Sequence, residues 1–135
     1  MMSKLTELLK SRYATKKFDP SRTVSDEKIE RILEAVRLTP TSSGLQPFEL
    51  LVVTNAEIRE KIKAVSWNQQ QVTDCSHLLV FAAWDDITAE RVNMMFDLTN
   101  EVRGTVNEGW ENYRQMLLGI VAGRGKEANY QAAAR

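Results

Sequence analysis

The side chains able to do chemistry gather in three short stretches of this chain. In SRYATKKFDP, Arg12, Lys16 and Lys17 set a planar guanidinium and two ammonium groups close together, the residue types that grip phosphate or carboxylate. The same cations suit the negative end of a preceding helix, so helix-end stabilisation and anion binding both stand on spacing alone. In PTSSGLQP, the hydroxyls of Thr41, Ser42 and Ser43 and the free backbone at Gly44 can cradle a polar ligand or simply shape a loop. Asn68, Gln69, Gln70 and Gln71 carry amides that can read a heterocycle edge or face solvent.

Other polar groups read as structure. His77 opens an apolar run without a Ser or Cys nucleophile motif beside it, and is expected to be a satisfied, half-buried histidine, not a base. Cys75 is expected to be structural. Asp85 and Asp86 have no third carboxylate or histidine nearby and read as a turn and helix start, not a metal site. GRGK at 123–126 fails as a phosphate loop, because Ile120 stands where a glycine is required and Glu127 where a hydroxyl residue is required. Trp110, Tyr113, Met116 and Leu117 fall at helical spacing, a packing stripe within the chain or against another subunit.

Composition narrows the classes further. The length of 135 residues is that of one ordinary domain. Eighteen Lys plus Arg balance eighteen Asp plus Glu, which withholds the electrostatic drive toward nucleic acid or an anionic membrane. With 43% hydrophobic and 27% charged residues the chain is expected to fold. A single Cys and a single His exclude an internal disulfide and a four-ligand zinc site and suit a reducing cytoplasm. No run of about 18 apolar residues marks a membrane span.

Positioning elements follow from periodicity. Ser3 before Leu5, Leu8 and Leu9 predicts a capped helix to about Ser11. Ser25, Asp26 and Glu27 begin a second helix through Ile29, Ile32, Leu33 and Val36, ending near Thr39 before Pro40. PTSSGLQP is expected to be an ordered loop without regular structure. FELLVVT and HLLVFAAW read as strands, nearly continuous in apolar residues as if helices covered both faces, with a helix through Ile58, Ile62 and Val65 between them. Two helices follow Trp84, the first with Val92, Met95, Phe96 and Thr99 on one side. Two strands make a weak sheet alone, so further strands are expected from elsewhere. EANYQAAAR ends inside helix-favouring sequence without a cap, which reads as an interruption.

Taken in order, SRYATKKFDP, TPTSSGLQPFELLVV and WNQQQVTDCSHLLVFAA resemble the N-terminal part of the nitroreductase-like, FMN-dependent oxidoreductases. The resemblance implies an α+β fold with helices packed on a central sheet, in a homodimer with two FMN sites at the subunit interface. Residues 1–135 would be a single nitroreductase-like domain, truncated at its C-terminus. The implied activity is hydride transfer from NADH or NADPH through FMN to nitroaromatics, quinones or similar small-molecule acceptors in the cytoplasm. Arg12, Tyr13, Ala14 and Lys16 match the segment that holds the FMN phosphate and ring edge, with Lys16 placed to stabilise negative charge at the pyrimidine side. Asn68 matches the amide that reads that edge. Pro40, Thr41, Ser42 and Gly44 match a loop that reaches the FMN of the other subunit.

Two departures accompany the match. Gln71 stands where the family commonly has a basic residue near the flavin, which alters local charge. The family's long dimer helix, glycine-containing loop near flavin N5, further strands and C-terminal basic pair have no counterpart here. A non-catalytic flavin-binding or assembly fragment is therefore the alternative, and a partner-binding bundle from residue 88 onward a third reading.

Overall fold

The computed structural model describes residues 4–135; Ser3, the expected cap of the first helix, lies outside the described residues. Its elements run α1 (Lys4–Ser11), α2 (Asp26–Leu38), a 3-10 turn (Ser42–Gly44), β1 (Phe48–Val53), α3 (Ala56–Val65), α4 (Gln71–Asp74), β2 (Leu78–Ala83), α5 (Ala89–Arg103), α6 (Glu108–Arg124) and α7 (Lys126–Ala133). The two strands pair as a small sheet. It is antiparallel, because the N–H of Trp84, just past β2, donates to the carbonyl of Pro47, just before β1, at 2.9 Å. This is a helix-rich α+β fold. Two compact units divide the chain: the first runs up to Ile29 and includes Val52–Leu79, and the second comprises Glu30–Leu51 and Val80–Arg135.

In the second unit the apolar periodicity of α5 and α6 builds the core. Leu45, Ile87, Val92, Phe96, Leu117 and Val121 form one buried cluster, with Met95, Trp110 and Tyr113 packed against it. Phe96 stacks on Trp110 with ring centroids 4.3 Å apart, a geometry that adds about 0.5–1.5 kcal/mol to the burial itself. The expected stripe Trp110, Tyr113, Leu117 thus packs within the chain, while Met116, also counted in it, is 52% exposed. Caps set the helix starts: the Thr88 hydroxyl accepts from Arg91 N–H, and the Asn107 carbonyl oxygen of its side chain accepts from Trp110 N–H. Gly104 (φ 64) ends α5 in the left-handed region. The side chain of buried Asn129 on α7 donates to the carbonyls of Ile87 and Val121 at 3.3 and 3.2 Å, which ties the last helix to this core.

The first unit is held more by polar bonds. Asn55 caps α3 by accepting from Ile58 N–H, and α3 packs on α4. The Arg59 guanidinium on α3 donates to the carbonyls of Thr73 and Cys75. Ser76 Oγ accepts from Val24 N–H at 3.1 Å, drawing the segment before α2 against the segment before β2.

Several local expectations change. PTSSGLQP contains one 3-10 turn, and WNQQQVTDCS contains the short α4. Asp85 and Asp86 precede the helix start, which Thr88 caps. Cover on both strand faces is not found: Leu51 is 50% and Phe81 57% exposed. Phe48 and Leu50 are half-buried while Glu49 and Leu51 are exposed, so the start of β1 is one-sided despite its nearly continuous apolar identities.

Phe96→Ala is expected to cost about 3–5 kcal/mol, read as a lower urea midpoint. Arg91 donates to Asp85 at 2.8 Å and, with a smaller effect from Lys126, holds that carboxyl below its ordinary 3.8. A depressed folded-state pKa gives stability that is complete above the ordinary value and lost as pH falls through the folded one. Asp85→Asn should therefore flatten the acid limb below about pH 4, measured as urea midpoints across that range.

Candidate functional site

Helix α1 ends just before Arg12 and Lys16. Arg12 N–H donates to Leu8 C=O, and the Ser11 hydroxyl donates to the same carbonyl at 2.9 Å. The chain then leaves the helix, with Arg12, Tyr13, Ala14 and Lys16 all exposed and Tyr13 at 75%. Among the described residues neither the Arg12 nor the Lys16 side chain has a hydrogen-bond or ion-pair partner, whereas Ser11 does the capping. Both cations are therefore open to solvent beside the C-terminal end of α1, where they can face the negative helix end or an anion.

In the same unit α3 ends in a strained turn. Asn68 N–H donates to Lys63 C=O at 3.1 Å, with Trp67 (φ 50) and Asn68 (φ 55) both left-handed. This is the closing pattern that normally places glycine after a helix. Asn tolerates that backbone; an indole-bearing residue does so only at a cost of about 1–2 kcal/mol, and Trp67 is also 92% exposed. The four amides separate by role here. Gln70 accepts from Lys63 Nζ at 2.7 Å and donates to Asp74 at 2.8 Å, so it braces α4 against α3. The side chains of Asn68, exposed, and Gln71, half-buried, have no partner among the described residues.

Pro40, Thr41, Ser42 and Gly44 lie in the second unit. The Thr41 hydroxyl accepts from Gln46 N–H, and Thr41 C=O accepts from Gly44 N–H, each at 3.0 Å. Thr41 is therefore engaged in holding the turn, while the Ser42 hydroxyl is exposed and has no partner among the described residues. Gly44 takes φ +66, and a Cβ there would meet open space; its conformation, not crowding, calls for glycine.

A cleft of about 520 Å³ in the first unit is lined by Arg22, Lys28, Asp19, Asp74, Ser76 and His77 among others. Sequence reasoning passed over Arg22 and Lys28, whose only signal was two cations bracketing a helix start. Hydrogen bonds from the Ser21 side chain and backbone hold the Asp19 carboxyl below its ordinary value. His77 is half-buried with Nδ1 3.0 Å from Ser76 Oγ, and Cys75 Sγ donates to Val72 C=O at 3.4 Å. Both are half-buried, as expected for His77, and each has one hydrogen-bond neighbour.

A family model described as Nitroreductase family matches residues 9–132, and the chain belongs to the nitroreductase family. It is 48% identical over 79 residues to the Staphylococcus epidermidis RP62A protein named "Putative NAD(P)H nitroreductase SERP2086", a match covering 58% of this chain and 36% of that one. A crystal structure of a nitroreductase-like protein from Streptococcus mutans superposes with TM-score 0.77 at 18% identity, over 98% of this chain and 64% of that chain. Another, described as a "putative nitroreductase in complex with FMN" from Exiguobacterium sibiricum 255-15, gives TM-score 0.69 at 18% identity over 98% and 62%. At such identities the likeness is one of fold. The chain spans about a third of the length of the curated relatives it matches.

Trp67→Gly should remove the left-handed strain and stabilise the chain by about 0.5–1 kcal/mol after the added freedom of the unfolded glycine. The check is a raised urea midpoint; an unchanged or lowered one would show that the indole itself holds the turn.

Proposed function

We propose that this chain serves an FMN-dependent oxidoreductase that moves a hydride from NADH or NADPH to a small-molecule acceptor, a nitroaromatic or quinone, working as a cytoplasmic homodimer. The observation that carries the reading is the set of unengaged groups in the first unit: the Arg12 guanidinium, the Lys16 ammonium and the Asn68 amide, all exposed and without partners among the described residues. Two cations and an amide are the donor set that a phosphate and a heterocycle edge require, so these residues fit FMN.

Bound FMN would supply the chemistry, accepting and passing on a hydride. The protein's part is to hold and polarise. Arg12 would bind the phosphate through its forked donors. Lys16 would set a positive charge beside the pyrimidine edge, favouring the form of the ring that carries more negative charge. Asn68, in a backbone conformation that turns its amide outward from the end of α3, would pair with that edge through one donor and one acceptor. The half-buried Gln71 adds dipoles but no charge, so the polarising burden falls on Lys16. Tyr13 and Ala14 would flank the ring, and the turn from Pro40 to Gly44 would approach from a second subunit, with Ser42 as its ligand-facing hydroxyl. No catalytic acid or base is required of these residues.

One observation favours the non-catalytic alternative. The match covers only 36% of the relative's length, so residues beyond this alignment would complete a catalytic site. The spectrum of the purified chain with FMN, before and after anaerobic NADH or NADPH, separates the two. A flavin band that bleaches supports the oxidoreductase; bound flavin that never bleaches, or none, supports the alternative. Arg12→Ala should weaken FMN binding about tenfold or more, from the loss of a charge-assisted bond of about 1.5–3 kcal/mol, by fluorescence titration. Lys16→Ala should lower the two-electron midpoint potential by tens of millivolts, about 30 mV per 1.4 kcal/mol.

A further inference from the structure

The turn after Pro40 takes an unfavourable backbone; Leu45 at its end is buried in the core, the Gln46 side chain donates to Arg37 C=O at 2.7 Å, and one further outside contact reaches Ser43. Ser43 (φ 58), Gly44 (φ 66) and Gln46 (φ 43) all lie in the left-handed region, which is free for glycine but costs about 1–2 kcal/mol at an ordinary residue. The bonds within the turn engage Thr41, Ser42, Gly44, Leu45 and Gln46. None engages the Ser43 side chain. Its hydroxyl lies instead 2.7 Å from the hydroxyl of Tyr113, 70 residues further along on α6 and part-buried.

Tyr113 is a firm anchor. Its ring stacks on Trp110 at 5.8 Å and tilts against Phe96 at 6.2 Å, and Phe96 is 1% exposed. A phenylalanine would serve that packing equally well. Only the turn makes use of the hydroxyl.

We infer that Tyr113 is a positioning residue. Through its hydroxyl the aromatic stack between α5 and α6 holds Ser43 left-handed, and so holds Thr41 to Gly44 in the shape that leaves the Ser42 hydroxyl exposed for the cofactor. The part concerning the cofactor rests on the proposed flavin function. The tether itself does not.

The test is amide hydrogen exchange on the full 135-residue chain without FMN, paired with FMN titration. Tyr113→Phe keeps the ring and removes the bond, so the Gly44 and Gln46 amides should exchange about fivefold faster, the equivalent of about 1 kcal/mol. Amides of α6 near Leu117 and Val121 should change little. Ser43→Ala cuts the same bond from the other side and should match. The double variant Ser43→Gly with Tyr113→Phe should return the turn to within about twofold of wild type, because glycine adopts this backbone unaided. FMN affinity should fall about fivefold in Tyr113→Phe and recover in the double variant.

Unchanged exchange, a uniform acceleration along the whole chain, or a double variant as fast as Tyr113→Phe would overturn the tether. Exchange that responds while FMN affinity does not would overturn the positioning role. A wild-type chain that takes up no FMN would refute the flavin function, and the exchange data would still decide the tether.

Discussion

Burial of Phe96 is the interaction on which the second unit depends. Six side chains form its buried cluster, and Phe96 and Val92 are the largest that are fully enclosed. Each large apolar side chain so enclosed contributes about 1.5–3 kcal/mol, and few others reach that state. The helices α5, α6 and α7 are consequently fastened to one small core. Polar ties supplement it: Arg114 on α6 donates to Asn93 and Asp97 on α5, each at 2.7 Å, and Asn129 fastens α7.

The first unit lacks a core of that kind. Among the described residues, Ile29 is the one of the eight buried apolar side chains that belongs to it. Hydrogen bonds donated by Arg59 and Gln70 and accepted by Asn55 and Ser76 take over the work of fixing its segments. Such a scaffold holds short turns in place while leaving their side chains accessible, which suits residues meant to meet a ligand. Asn68, on the turn between α3 and α4, is exposed, as are Arg12 and Lys16.

Backbone strain follows the same distribution. The non-glycine residues in the left-handed region are Ser43, Gln46, Trp67 and Asn68 among the described residues, all within or beside the segments that resemble the family's flavin contacts. Strained backbone persists only where surroundings enforce it, and it concentrates where a binding surface needs an unusual shape. Apolar side chains such as Leu51, Val52 and Phe81 remain exposed on the sheet, in keeping with a chain that spans under two thirds of the solved structures it resembles.

Much of this was legible in the residues themselves. The helix through Ile29, Ile32, Leu33 and Val36, both strands and the paired helices after Trp84 follow from apolar spacing, because that spacing decides which face can leave water. The three motif segments and their order were enough to point to the nitroreductase family. The half-buried position of His77 was also expected from its place at the head of an apolar strand. Tertiary structure alone decided which of several equivalent polar groups is already engaged: Gln70 but not Asn68, Thr41 but not Ser42, Ser11 in place of Arg12. Residue type states what a side chain can bond; only the fold determines whether a partner lies within about 3 Å of it. The same holds for Ser43 and Tyr113, whose meeting across 70 residues leaves no periodic trace in the chain.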